Sequence, residues 1–177
     1  SLYGKNGDTD CGENVPCAAI LGNYAQRITI QNCSFEELGG SAVVFQYGAK
    51  NIKLIGSSMR NLAICGIAIG VPQLTWNTAG LAGFSENVEI CNNYITNIGV
   101  SVYGAPAIAV KRSENLKILY NKIVHTPYSG ITAGWGFNTS SNPIANKCLV
   151  NAEIAYNHVE DTVYKINDGA AIYVNGA

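Results

Sequence analysis

Charge is scarce in this sequence. Charged residues fill 13% of its 177 positions, about half the usual share, and the formal net charge is −1. There is no basic stripe for nucleic acid and no acidic tail for a basic partner. No apolar run approaches the roughly 20 residues that span a bilayer. An initiator Met and a leader segment are both missing, so the chain reads as a processed or excised piece. What is plentiful is apolar material. A hydrophobic share of 47% excludes disorder and is enough for one domain with a sizeable core.

The six cysteines are Cys11, Cys17, Cys33, Cys65, Cys91 and Cys148, and glycosylation sequons stand at Asn32-Cys33-Ser34 and Asn138-Thr139-Ser140. Together they favour an extracellular glycoprotein made in an oxidising compartment. Cys11 and Cys17 flank a Gly- and Pro-containing stretch, GENVP, which predicts a local disulfide in an N-terminal loop over 1–16. Tighter C-x2-4-C pairs suited to zinc are absent, and no metal site is expected. Asp8, Asp10 and Glu13 have a spacing loosely suited to Ca2+. A charged surface loop is the simpler reading, so no cofactor is expected.

A repeat fixes the architecture. Segments beginning RITIQNCSF, NIKLIGSSM, NVEICNNYI, NLKILYNKI and NAEIAYNHV align without gaps. Their apolar columns are Ile28/Ile52/Val88/Leu116/Ala152, Ile30/Leu54/Ile90/Ile118/Ile154 and Phe35/Met59/Ile95/Ile123/Val159. The first two lie two residues apart with polar residues mostly between, which is strand periodicity. A second strand follows in AAIL, AVVF, GIAI, AIAV, GITA and AIYV. Its inward pairs are expected to be Ala19/Leu21, Val43/Phe45, Ile67/Ile69, Ile108/Val110, Ile131/Ala133 and Ile172/Val174. This predicts an all-β chain, a right-handed parallel β-helix over 17–177 with about six coils of about 24 residues each. Asn93, Asn121 and Asn157 share a column at the first bend, where stacked amides can bond along the rod. Asn51, Asn87, Asn115 and Asn151 mark the next bend. A two-sheet sandwich of hairpins would not explain a register kept from coil to coil.

Two long insertions interrupt the turns, at 71–86 and 135–150, and they carry Trp76 and Trp135. Indole faces make good platforms for sugar rings, so these loops are expected to wall a carbohydrate-binding groove. The plainer alternative is that each Trp closes a small core under its own loop. Shorter insertions occur around VSVYGAP and VYKINDGA.

ITIQNCSFEELGGSAV, YNKIVHTPYSGITAGWG and NDGAAIYVNG resemble the right-handed β-helix proteins of the pectate-lyase-like superfamily. More narrowly, they are similar to β-helix glycoside hydrolases and their algal and microbial relatives. The resemblance covers nearly the whole chain from about residue 17 and is specific for fold. In the hydrolase branch it implies a carboxylate at Asp168, as acid or nucleophile, in the segment Asp168-Gly169-Ala170-Ala171-Ile172-Tyr173. Glycoside hydrolysis needs a second carboxylate roughly 5–10 Å away, and Glu160 and Asp161 are nearest in sequence. Asp168 as part of an ordinary Asn-Asp-Gly turn is the competing reading. β-elimination would want clustered Asp beside Lys111-Arg112, and no such cluster is there. His125 and His158 stand in unrelated columns of the repeat.

Two functions follow. One is a structural module of an extracellular filament, sheath or cell-surface assembly, whose open ends stack on further β-helix coils or related subunits. The other is a carbohydrate-active β-helix, hydrolysing or binding a polysaccharide. The structural module is preferred from sequence, because 12 acidic residues yield one carboxylate with a claim to a site. Neither reading involves nucleic acid or a membrane span.

Overall fold

The computed structural model describes residues 18–70, 84–134 and 148–174. Asp8, Asp10, Cys11, Glu13, Cys17, Trp76, Trp135 and Asn138 lie outside them, and with them the expected Cys11–Cys17 disulfide.

Each of the first five coils has three strands. The first comprises β1 (Ala18–Gly22), β2 (Gln26–Gln31) and β3 (Ser34–Leu38), and the second β4 (Ser41–Phe45), β5 (Lys50–Ile55) and β6 (Ser58–Leu62). The third has β7 (Ile67–Ile69), β8 (Ser85–Cys91) and β9 (Tyr94–Ile98). The fourth has β10 (Ile108–Val110), β11 (Ser113–Leu119) and β12 (Lys122–Thr126). The fifth has β13 (Ile131–Ala133), β14 (Leu149–Ala155) and β15 (His158–Thr162), and β16 (Ile172–Val174) opens a sixth. Corresponding strands stack in parallel, giving one sheet in the order β1-β4-β7-β10-β13-β16. A second runs β2-β5-β8-β11-β14, and a third β3-β6-β9-β12-β15. These are called the short-strand, central and outer sheets below. The chain is a parallel β-helix.

The three apolar columns of the repeat stack in the register expected from sequence. Ile52, Leu54, Met59, Ile90, Ile95, Leu116, Ile118 and Ile123 are wholly buried and form one continuous core. No coil could bury its own inward side chains, so the stack holds together through column contacts between neighbours. Ala152, at the end of its column on β14, is exposed.

The structure corrects two expectations. What reads as one strand across a bend is two, because a corner of two residues separates the central from the outer sheet in every coil. In the first coil the inward frame is also offset by one residue. Ile20 pairs with Val43 and Gly22 with Phe45, while Leu21 faces out at 45% exposure. Ala18, Ile20 and Gly22, not Ala19 and Leu21, are the more enclosed set. The reason is steric: a Cβ on Gly22 would lie 2.9 Å from Cδ1 of Phe45, so only glycine lets that ring fill the core.

Corners depend on left-handed backbone. Arg27, Asn51, Asn87, Asn115 and Asn151 have φ of 52–56°, one per coil at the start of the central sheet. Asn32, Gly56, Asn92, Tyr120 and Tyr156 do the same between the central and outer sheets. Glu37, Asn61, Asn97, His125 and Asp161 do so at the end of the outer sheet. Asn tolerates this conformation best after Gly, which accounts for its abundance in these columns.

The inner corner adds a buried ladder. Asn93 Nδ2 donates to Asn121 Oδ1 and Asn121 Nδ2 to Asn157 Oδ1, both at 3.0 Å. The same amides donate to the carbonyls of Leu54, Ile90 and Ile118 at 2.8–2.9 Å. Each Oδ1 also accepts a backbone N–H from the preceding coil, as in Ser57 to Asn93 and Asn93 to Asn121. Buried backbone groups at the corner are thereby satisfied, which is worth more than the bonds themselves because leaving them bare costs about 1–3 kcal/mol each.

Cys33, Cys91 and Cys148 are free thiols, whereas Cys65 is disulfide-bonded. The even cysteine count does not mean complete pairing. Burial and the neighbouring Glu89 carboxylate push the Cys91 thiol up to about 11, so it is inert at neutral pH.

Asn121→Ala should destabilise the fold by about 3 kcal/mol or more, since it strips partners from the Asn93 backbone and the Ile90 carbonyl. Asn115→Ala, on the exposed corner, should cost about 1–2 kcal/mol for the left-handed backbone, and Asn115→Gly much less. Chemical denaturation of the three variants checks the order. Ile118→Asp should cost about 4 kcal/mol, because the carboxylate would be buried without a partner, and unchanged thermal unfolding would contradict the register.

Candidate functional site

Two outward faces carry the chemistry. On the central sheet the first outward column is the Asn row at the corner. Asn87 Nδ2 donates to Asn51 Oδ1 at 3.0 Å, Asn115 to Asn87 at 3.1 Å, and Asn151 to Asn115 at 2.7 Å. Two residues further along each strand stand Lys53, Glu89, Lys117 and Glu153, in register and alternating in sign. Lys53 pairs with Glu89 at 3.3 Å, and Lys50 with Glu86 at 2.8 Å on the flank. Between the Asn row and the charged row lies a depression of about 240 Å3, lined by Asn51, Lys53, Asn87, Glu89, Asn115 and Lys117.

An amide has two N–H donors and two acceptor lone pairs, and the ladder uses one of each per interior Asn. The remainder are left for a ligand, repeated at the strand spacing of about 4.8 Å. β8, which begins within the 71–86 insertion, supplies Asn87 and Glu89 to the depression, whereas β14, which begins within the 135–150 insertion, contributes none of its lining. Trp76 and Trp135 belong to those insertions and lie outside the described residues.

The outer sheet holds two of the three candidate carboxylates. His125 Nδ1 meets Asp161 Oδ2 at 2.5 Å across adjacent coils, and the His125 ring stacks on Tyr164 with centroids 4.5 Å apart. His158 Nε2 meets Glu160 Oε2 at 2.8 Å within one strand. The hydrogen bond from His158 holds the Glu160 carboxyl below the usual glutamate range. A general acid for glycoside cleavage needs the opposite displacement, a carboxyl kept protonated near neutral pH. Glu160 and Asp161 are thus paired with histidines on an exposed sheet face. Asp168 is exposed in the turn before β16, and its side chain has no hydrogen-bond partner among the described residues.

Arg112 is no surface base. It is buried, its Cζ lies 5.7 Å from the Phe84 ring centroid, and burial lowers its pKa. Among the described residues no group of three or more His, Cys, Asp or Glu side chains could hold a metal ion. Sequence reasoning missed the His125–Asp161 pair and the Lys/Glu alternation. Both could have been found by carrying the inward register over to the outward positions.

The comparisons with known proteins agree with the fold. A family model described as the right handed beta helix region matches residues 13–149. No curated protein matches the chain. A solved structure described as a glycoside hydrolase is similar with a TM-score of 0.74 and 24% identity over 90% of this chain. The chain spans 27% of that protein's length, and the likeness is one of fold.

His158→Ala should raise the Glu160 pKa toward the ordinary glutamate value, read by carboxyl-resolved NMR titration. The native pKa is depressed, so any stability this pair adds is present above the unfolded-state pKa. It is lost as pH falls through the lower folded value. With both groups exposed, the effect on unfolding should be small.

Proposed function

The chain belongs to the right-handed β-helix family, and from that premise we propose that it is an extracellular carbohydrate-active module that binds an extended polysaccharide along its central sheet. The observation that carries this reading is the depression between the Asn51/Asn87/Asn115 row and the Lys53/Glu89/Lys117 row. Sugar hydroxyls both donate and accept hydrogen bonds, and so do the spare valences of the amide row. The row repeats once per coil, a distance comparable with a sugar ring, so a chain lying along the rod meets the same contacts several times over. Trp76 and Trp135, on the insertions expected from sequence to wall a groove, would add stacking faces. Binding fits the described carboxylates better than hydrolysis does, because Glu160 and Asp161 are held by histidines. Asp168 remains the acid or nucleophile to test if cleavage is found.

A structural role in a filament, sheath or cell-surface assembly, stacking on further coils or related subunits, is the second reading.

Affinity electrophoresis against neutral and acidic polysaccharides tests the first reading. The wild type should be retarded by at least one of them. Lys53→Ala/Lys117→Ala should bind about tenfold more weakly or less well still, the loss of one charged hydrogen bond being about 1.5–3 kcal/mol. Lys122→Ala, on the outer sheet, should bind as the wild type does. Failure to bind any polysaccharide, or full retention by the double variant, would refute it. New reducing ends made by the wild type but not by Asp168→Asn would replace binding with hydrolysis.

A further inference from the structure

We propose that Asn32 carries an N-linked glycan. Asn32-Cys33-Ser34 satisfies the acceptor pattern, and the fold leaves this asparagine exposed at a left-handed corner of the first described coil. Asn32 is exposed, and its Nδ2 has no hydrogen-bond partner among the described residues.

The next coil makes room for it. Gly56 occupies the same corner position, where later coils have Asn92, Tyr120 and Tyr156. A Cβ on Gly56 would lie 2.6 Å from Asn32 Oδ1, so the Asn32 amide rests directly over the glycine. Its oxygen is packed against the coil, and its nitrogen has no partner among the described residues. Cys33 is a free thiol, so no disulfide closes over the acceptor, and the Ser34 hydroxyl lies on the exposed start of β3.

The donor would be an oligosaccharide on a polyprenyl pyrophosphate in the secretory membrane. A bond forms between Asn32 Nδ2 and the anomeric carbon, the bond from that carbon to the pyrophosphate oxygen breaks, Nδ2 gives up one proton, and the polyprenyl pyrophosphate leaves. Asn32 lies at the far end of β2 from Arg27, whose column continues into the Asn row of the depression. The separation is roughly five residues, or about 17 Å of strand. A glycan there leaves the central sheet open.

The test is secretion of the full chain from yeast behind a host signal, followed by glycopeptide mass spectrometry. The Asn32 peptide should carry a glycan on most molecules and lose it to an endoglycosidase. Asn32→Gln should lack it. Ser34→Ala, which keeps the Asn32 side chain and backbone in place, should lack it too, so the result does not depend on how well Asn32→Gln folds. Secreted, cooperatively unfolding wild-type protein with an unmodified Asn32 peptide would overturn the proposal. So would a glycan that persists at Asn32 in Ser34→Ala.

Discussion

Every coil has to turn corners without stranding its backbone, and the rest of the structure depends on how that is done. A left-handed residue at each of three corner columns redirects the chain. The corner amides of Asn93, Asn121 and Asn157 then supply hydrogen bonds that the bent backbone can no longer exchange with itself. Without the ladder, the Leu54, Ile90 and Ile118 carbonyls would be buried and bare. Apolar columns provide most of the favourable free energy, but they do not say where the chain bends. The corner residues do, and by repeating in register they keep each coil the same shape as its neighbour.

That regularity converts strand spacing into a surface. Outward side chains on the central sheet are held by backbone fixed on both sides, so the Asn row and the Lys/Glu row lie at set distances without large loops to position them. A ligand with its own repeat along the rod meets a preorganised array and avoids much of the ordering cost of binding. The outer sheet uses the same geometry differently. There the register brings His125 to Asp161, and the acidic groups are each held by a histidine ring nitrogen.

Much of the interior was legible in the sequence, because inward apolar side chains alternate within a strand and recur between coils. Ile30, Leu54, Ile90, Ile118 and Ile154 announce their column without knowledge of the fold. The first coil was harder. AAIL offers two apolar frames, and the choice falls to a contact between Gly22 and the Phe45 ring, which sequence periodicity does not encode. The division into three sheets was hidden for a similar reason, since a two-residue corner barely disturbs the alternation. Of the site, the Asn corner row was visible as a repeat, but the depression beside it was not. Outward residues vary from coil to coil, and Lys53, Glu89 and Lys117 become a row only when placed in register. Asp161 was noticed as a carboxylate near Asp168 in sequence, while its partner His125 was weighed only against His158, which stands in an unrelated column of the repeat.

The two asparagine rows run in opposite senses. In the buried row each Oδ1 accepts from the preceding coil, so its carbonyls point toward the chain's beginning. In the exposed row each Oδ1 accepts from the following coil, so those carbonyls point toward its end. Side-chain amide dipoles on the two corners therefore oppose one another along the rod. An α-helix accumulates a macrodipole because all its peptide groups align. Here each added coil would contribute one amide dipole of each sense, and the rod could lengthen without its side-chain ladders building up an axial field.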